Sequence, residues 1–210
     1  NASRMQSIID DLQVIAQIDA NKFPIKPEPA YLDKIVQDTL IPFQKQLEEK
    51  EQTIVNNVGE NLPLIMADNN KLVQVLTNFI SNAYKYSPPG ATITIEAKVH
   101  PRYINSRNQN MGSVMEISIS DTGIGMSEDD LSALFKEDYF RSSNTEARKQ
   151  KGTGLGMIIT KRIIEGHNGE VWVDSEIEKG TTFAFVIPLA PRDPMQTQTM
   201  QTTETEPASD

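Results

Sequence analysis

Residues 71–86 run KLVQVLTNFISNAYKY. On a helical wheel at about 100° per residue, Leu72, Val75, Leu76, Phe79, Ile80 and Ala83 fall on one stripe, the spacing of a helix seated on a core. Gln74, Thr77 and Ser81 face water. Asn78, Asn82, Lys85 and Tyr86 form a third stripe along the edge of the buried one. Two amides, an ammonium and a phenol there fit a solvated margin. They also fit the wall of a nucleotide pocket, where an Asn oxygen suits Mg²⁺ and Lys85 reaches a phosphate. The wheel does not choose between the two.

Working outward, Asp68 is placed to N-cap this helix, and Ser87-Pro88-Pro89-Gly90 closes it. Upstream, a helix is expected from about Tyr31 to Glu51, then a short strand around Thr53–Val58. Downstream, Ala91–Val99 and Ser113–Ser120 alternate apolar and polar residues as half-buried strands do. Between them His100–Gly112 is polar and Asn-rich, the pattern of a long exposed connection. A helix is expected from Thr153 to about His167, followed by strands near Glu170–Ser175 and Thr181–Pro188. Helices interleaved with paired strands imply a two-layer α/β sandwich, one mixed sheet covered on one face by helices. Residues 1–20 carry an amphipathic helical period, residues 21–30 a Pro-rich linker, 31–190 the main domain, and 191–210 a Thr/Gln-rich acidic tail expected to be disordered.

Two glycine-rich segments flank the second half of the domain. Asp121-Thr122-Gly123-Ile124-Gly125 follows a strand, and its carboxylate accepts hydrogen bonds only, which favours the adenine amine over the guanine oxygen. Gly152-Thr153-Gly154-Leu155-Gly156 opens a helix, a backbone N–H site suited to a triphosphate. It has neither the preceding strand of a dinucleotide fingerprint nor the Gly-Lys-Ser/Thr of a P-loop. Arg141, Arg148, Lys149 and Lys151 lie in the polar, lid-like stretch 138–151 beside it.

In this order the segments resemble the GHKL ATPase superfamily and, within it, the sensor histidine kinases. Asn78–Tyr86 is similar to the N box, Asp121–Gly125 to the first glycine box and Gly152–Gly156 to the second. Leu134-Phe135 through Tyr139-Phe140-Arg141 resembles the F box with one extra residue, and Gly180-Thr181-Thr182-Phe183 the short glycine-threonine box. The resemblance covers about Tyr31–Leu189. It implies the Bergerat ATP-binding fold, a protein-histidine kinase activity, and ATP with Mg²⁺ as cofactors. It makes Asn82 the Mg²⁺ ligand, Asp121 the reader of the adenine amine, and Tyr86 a neighbour of the base. Asn78 and Lys85 would meet phosphates or the metal shell. Gly123, Ile124, Gly125, Lys151, Gly152, Thr153, Gly154, Leu155, Gly156 and Thr182 would complete the ATP site, and Arg141 would act with Asn78 in catalysis by stabilising the transferring phosphoryl. Hydrolytic members of the superfamily carry Glu where Asn78 stands, and an amide cannot activate water. Transfer to a protein histidine is therefore favoured over hydrolysis.

The resemblance implies further partners: a phosphoacceptor histidine domain that is missing from these residues, and a response-regulator receiver domain. Residues 1–20 resemble the end of the second dimerisation helix. His100 and His167 lack the acidic neighbour of a phosphoacceptor motif and are expected to be structural. The net charge of −9 argues against nucleic-acid binding. With no cysteine and no long apolar run, a cytoplasmic domain without direct membrane contact is expected, whatever anchors its parent. Two other functions stay open from the residues: a nucleotide-holding regulatory module, and a GHKL-type ATPase.

Overall fold

The structure, a computed structural model, describes residues 24–134 and 155–191. Every one of the six apolar residues on the Leu72–Ala83 stripe is at most 2% exposed. They lie on the helix Asn69–Tyr86 (α3), whose N-cap Asp68 accepts from the Lys71 N–H at 3.2 Å. Phe79 stacks on Phe183 with centroids 4.8 Å apart, which seats the middle of α3 on the sheet.

That sheet has five strands in the order β2-β4-β5-β7-β6. They are β2 (Thr53–Asn57), β4 (Thr92–Ile104), β5 (Asn110–Asp121), β6 (Glu170–Glu176) and β7 (Gly180–Pro188). Only β2 and β4 pair in parallel, so the sheet is mixed. Ile93, Ile95, Ile117, Ile119, Phe183 and Phe185 face the helices and are buried. Residues alternating with them, Thr94, Glu96, Ser118, Ser120 and Thr182, line the other face, as the period of two requires. The helical layer comprises α1 (Leu32–Leu40), α2 (Gln44–Glu49), α3, α4 (Glu128–Ala133) and α5 (Gly156–Gly166). The two-layer α/β sandwich is thus as expected. No helix among the described residues is long and apolar enough to cross a membrane.

Three local expectations are corrected. The helix expected over Tyr31–Glu51 is broken: Pro42 has no N–H to continue the ladder, and Ile41–Phe43 tightens to a 3₁₀ turn between α1 and α2. The linker over 21–30 ends early, because Glu28–Ala30 forms β1, pairing antiparallel with Ile65–Ala67 (β3). The His100–Gly112 connection is mostly strand. β4 and β5 continue as a hairpin whose turn is only residues 105–109, where Asn105 Oδ1 accepts from the N–H groups of Arg107 and Gln109 and Asn108 takes φ 60°. Pro101 cannot donate to the ladder, and the register shifts just after it, between His100 and Tyr103. The tip folds back onto the sheet, with the Ser106 N–H and the Tyr103 hydroxyl both donating to the Glu170 carboxylate. Burial and that carboxylate push the Tyr103 phenol up to about 12.

Candidate functional site

One helix touches both glycine boxes. At its C-terminal end, α3 presents the Tyr86 carbonyl and the Ser87 side chain to the turn after β5. The Ile124 N–H donates to Tyr86 O at 3.1 Å, and the Ser87 hydroxyl donates to Asp121 Oδ1 at 3.3 Å. Eight residues earlier, Asn78 faces the start of α5. Its amide N–H donates to Thr160 Oγ1 at 2.9 Å, and its oxygen lies against the Cα of Gly156. The separation along α3 is roughly 12 Å at 1.5 Å per residue.

Asp121 ends β5, buried at 8% exposure. The Gly123 N–H donates to its Oδ1 at 2.8 Å, and the Thr181 backbone, directly across the ladder, also bonds it. Burial pushes the carboxyl above its usual value, while the Gly123 N–H, the Ser87 hydroxyl and the Thr181 backbone pull it back. The turn itself is locked from the β6–β7 side. Ile124 O accepts from the Glu178 N–H, and the Met126 N–H donates to Ser175 Oγ. Gly125 sits at φ 66°, where an added Cβ would fall 2.0 Å from Glu176 O. Only glycine fits there.

The C-terminus of α3 is capped by residues that the sequence did not single out. Lys50 Nζ donates to the carbonyls of Tyr84 and Ser87 at 2.6 Å each, and lies 4.7 Å from the Tyr84 ring centroid. Gln52 Nε2 donates to Ser87 O and Pro88 O at 2.9 and 3.0 Å. A cation and an amide thus satisfy the last carbonyls of the helix, where its dipole is negative. Burial lowers the Lys50 pKa. Gln52 Oε1 is buried with no partner among the described residues, which leaves its N–H groups aimed at the carbonyls. Neither residue was legible because each acts on a helix more than thirty positions away.

The expected site residues are distributed as follows. Asn78, Asn82, Lys85 and Tyr86 share one half-buried flank of α3. Burial lowers the Lys85 pKa, and its ammonium pairs with no carboxylate among the described residues. The Asn82 amide has no hydrogen-bond partner among the described residues. Its oxygen, a hard ligand one turn from Asn78, fits Mg²⁺ by donor chemistry. Asp121, Gly123, Ile124 and Gly125 form the opposing turn. Leu155 caps α5, but its side chain belongs to the core, so only its backbone is offered to a ligand. Thr182 is a correction: strand alternation turns it to the far face of the sheet, where its hydroxyl bonds Ser120 at 2.9 Å. Thr181 is the residue on the Asp121 side. Arg141, Lys151, Gly152, Thr153 and Gly154 lie outside the described residues, as do the 138–151 lid, helix 1–20 and the tail beyond Pro191.

A separate cleft of about 810 Å³ lies between the β4–β5 turn and α5, lined by Arg107, Lys161, Arg162, Glu165 and Glu170 among others. None of the expected site residues lines it.

Comparison with known proteins agrees with this geometry. Residues 67–191 match the family described as histidine kinase-, DNA gyrase B-, and HSP90-like ATPase. The adaptive-response sensory kinase SasA of Synechococcus elongatus is 37% identical over 165 residues, 79% of this chain and 39% of that protein. Full-length ShkA, solved in complex with AMPPNP, superposes with a TM-score of 0.71 at 25% identity, covering 90% of this chain and 36% of ShkA. The histidine kinase ThkA, solved in complex with the response regulator TrrA, has the same fold, with a TM-score of 0.65 at 18% identity over 89% of this chain and 49% of ThkA. The chain thus spans less than half the length of these curated relatives, from 19% to 45% of it. It belongs to the histidine kinase-, DNA gyrase B- and HSP90-like ATPase family, and within it is a catalytic domain of the sensor histidine kinase kind.

Proposed function

We propose that this chain binds Mg-ATP between α3, the 121–125 turn and the start of α5. In this reading the ATP γ-phosphoryl passes to a histidine on a dimerisation and phosphoacceptor domain, for onward transfer to a response-regulator receiver domain. The observation that carries the proposal is the attachment of one helix to both glycine boxes, Ser87 to Asp121 and Asn78 to Gly156. A nucleotide lying along α3 then has its base at Asp121 and its phosphates towards Asn78. ShkA's AMPPNP complex supports the nucleotide, and the ThkA–TrrA complex supports the receiver partner.

Each residue has a role in that pose. Asp121 accepts from the adenine amine with the carboxylate oxygen its own turn leaves over. Lys85, partly desolvated, neutralises phosphate charge, and Arg141 with Lys151 would do so from the segment before α5. Asn82 would hold Mg²⁺ through its amide oxygen, and the ion when bound would supply charge neutralisation for the phosphates. An imidazole nitrogen of the acceptor forms the new N–P bond as the bond to the β-phosphate oxygen breaks; ADP leaves and the imidazole releases its proton. Asn78 offers an amide where hydrolysis needs a base, and its N–H is already committed to Thr160. Water is therefore not activated. The domain works in the cytoplasm, whether or not its parent is anchored in a membrane.

Calorimetry, a phosphate-release assay and transfer to a supplied acceptor domain test the proposal together. Expected are Mg-ATP binding, little phosphate release and labelling of the acceptor histidine. Steady-state release without an acceptor would instead identify an ATPase. Binding with no transfer would identify a regulatory nucleotide-holding module.

A further inference from the structure

His167 is 2% exposed, at the C-terminal cap of α5, and both ring nitrogens are engaged. The Asp68 backbone N–H, at the N-cap of α3, donates to Nε2 at 2.8 Å. Nε2 is therefore unprotonated, and the single ring proton sits on Nδ1, donating to Ile163 O at 2.7 Å. One neutral tautomer thus links the last turn of α5 to the first residue of α3. Because the two helices run antiparallel, this link and the Asn78–Thr160 bond fix their relative register at two points.

We propose that His167 is a positioning residue for the nucleotide site: its neutral imidazole clasps α5 to α3 in the register that holds Gly156 against Asn78. The inference rests on the nucleotide reading above. Slippage of α5 by even a fraction of a turn would move Gly156 relative to Asn78, Asn82 and Lys85. Gly169, just past the clasp, packs against Ile164 and Val186 O, so the chain leaving α5 has little room to compensate.

The clasp is sensitive to acid. A proton on Nε2 would turn the acceptor into a donor facing the Asp68 N–H. The charged group acting on the ring is the Asp68 carboxylate, which favours the proton and itself accepts from the backbone N–H groups of Lys26 and Lys71. Desolvation outweighs both the Ile163 hydrogen bond and the Asp68 carboxylate, so the ring's pKa lies below its ordinary 6.5. A depressed folded-state value means that the full stabilisation is present above 6.5 and falls as pH drops towards the folded value.

Two variants separate positioning from mere packing. In His167→Gln the amide oxygen can still accept from Asp68 and nothing titrates. In His167→Asn the amide reaches only the Nδ1 position. Mg-ATP affinity of the three proteins is measured by calorimetry at about pH 7.5 and at successively lower pH for as long as the fold persists, since the ring titrates below the ordinary imidazole value. Expected are near wild-type affinity for His167→Gln at the higher pH, and a loss of roughly five- to tenfold for His167→Asn, the scale of one buried hydrogen bond. His167→Gln should also lack the part of the wild type's acid-side weakening that comes from the ring. Equal affinity for His167→Asn, or the same pH dependence in His167→Gln and wild type, overturns the proposal. Should His167→Asn fail to fold, the wild type and His167→Gln comparison decides. If wild type binds no Mg-ATP at the higher pH, the nucleotide reading fails instead. The clasp is then tested by the ring ¹⁵N shifts, which should report a proton on Nδ1; a proton on Nε2 overturns it.

Discussion

Around Asp121 the protein's own donors crowd the carboxylate: Gly123 N–H, the Thr181 backbone and the Ser87 hydroxyl all bond it. The turn carrying it is stapled through main-chain atoms to Tyr86 and Glu178. On the α3 flank towards α5 the ties are side chains, Asn78 to Thr160, and among the described residues Asn82 has no hydrogen-bond partner and Lys85 no ion pair. The difference matches two kinds of chemistry. Recognising a base needs a fixed acceptor, because a hydrogen bond weakens steeply with angle. Neutralising a transferring phosphoryl needs charge and metal ligands that reorganise around the ligand, so uncommitted groups there are an asset.

Adding a methyl group at each end should expose that asymmetry most strongly. Gly125 has φ 66° and its Cβ would strike a main-chain carbonyl, Glu176 O, at 2.0 Å. Gly125→Ala should therefore destabilise the domain by about 3 kcal/mol or more and abolish measurable ATP binding. At Gly156 the three atoms nearest an added Cβ all belong to the Asn78 side-chain amide, the first at 2.5 Å. Gly156→Ala can be accommodated by an amide rotation, at about 1–2 kcal/mol, and its damage should fall on ATP affinity more than on stability. Paired chemical denaturation measures both, and equal destabilisation would break the comparison.

Asp121 sharpens it next. Because its carboxylate also anchors the turn, Asp121→Ala should lose stability as well as ATP affinity, with orphaned donors at about 1–3 kcal/mol. Asp121→Asn keeps an acceptor for the turn while offering an amine to guanine. Its ATP affinity should fall by roughly 10-fold, and its ATP-to-GTP preference should narrow. An unchanged ATP-to-GTP ratio in competition calorimetry would reduce Asp121 to a turn residue.

A third test asks whether the fixed end depends on the α3 cap. Gln52→Leu removes donors from Ser87 O and Pro88 O, and Lys50→Met removes the cation from Tyr84 O and Ser87 O. Each should lower stability by about 1–2 kcal/mol. ATP affinity should weaken only modestly, since the ligand-facing groups stay in place. Urea denaturation resolves effects of that size, and stability unchanged in both variants would show that the cap contributes nothing to the base end.

What could be read beforehand follows the range of the interaction. The α3 stripe, the Asp68 cap and the strand alternation are local periodicities, and they appear where expected. β1 and β3 are three-residue strands, too short to show a period, and exist only because they meet. The hairpin was misread because Asn-rich polar composition marks exposure, and the exposed half of a long hairpin has the same composition as a loop. In the site, motif order singled out Asp121, Asn78 and Asn82, which the fold places on α3 and on the turn facing its C-terminal end. It could not find Lys50, Gln52, Ser87 or Thr160, whose partners are set by packing across the chain.

The smallest expected effect bears on the one described site residue that the sequence misplaced. A Gly-Thr-Thr run in a strand must send its two threonines to opposite faces, and the register with β5 decides which is which. Asp121 pairs with Thr181, so Thr182 falls on the face away from the helices, bonded to Ser120 and beside Asp174. Thr182→Val keeps the volume and the β-branched shape and removes only that hydroxyl. Its partner Ser120 is half-buried on the outer face, so water can replace the lost bond, and stability should change by no more than about 0.5 kcal/mol. Mg-ATP affinity should not change measurably. Thr181→Val is the matched control: it removes a hydroxyl that bonds Ser175, the residue holding the Met126 N–H at the end of the base turn, and should weaken ATP detectably. The prediction is thus an ordering between two neighbours of identical chemistry, read by calorimetry on both variants. If Thr182→Val loses more affinity than Thr181→Val, the β5–β7 register is off by one residue. Asp121 would then pair with Thr182 in place of Thr181, and the fixed base end would lose the Thr181 contacts that help to hold it.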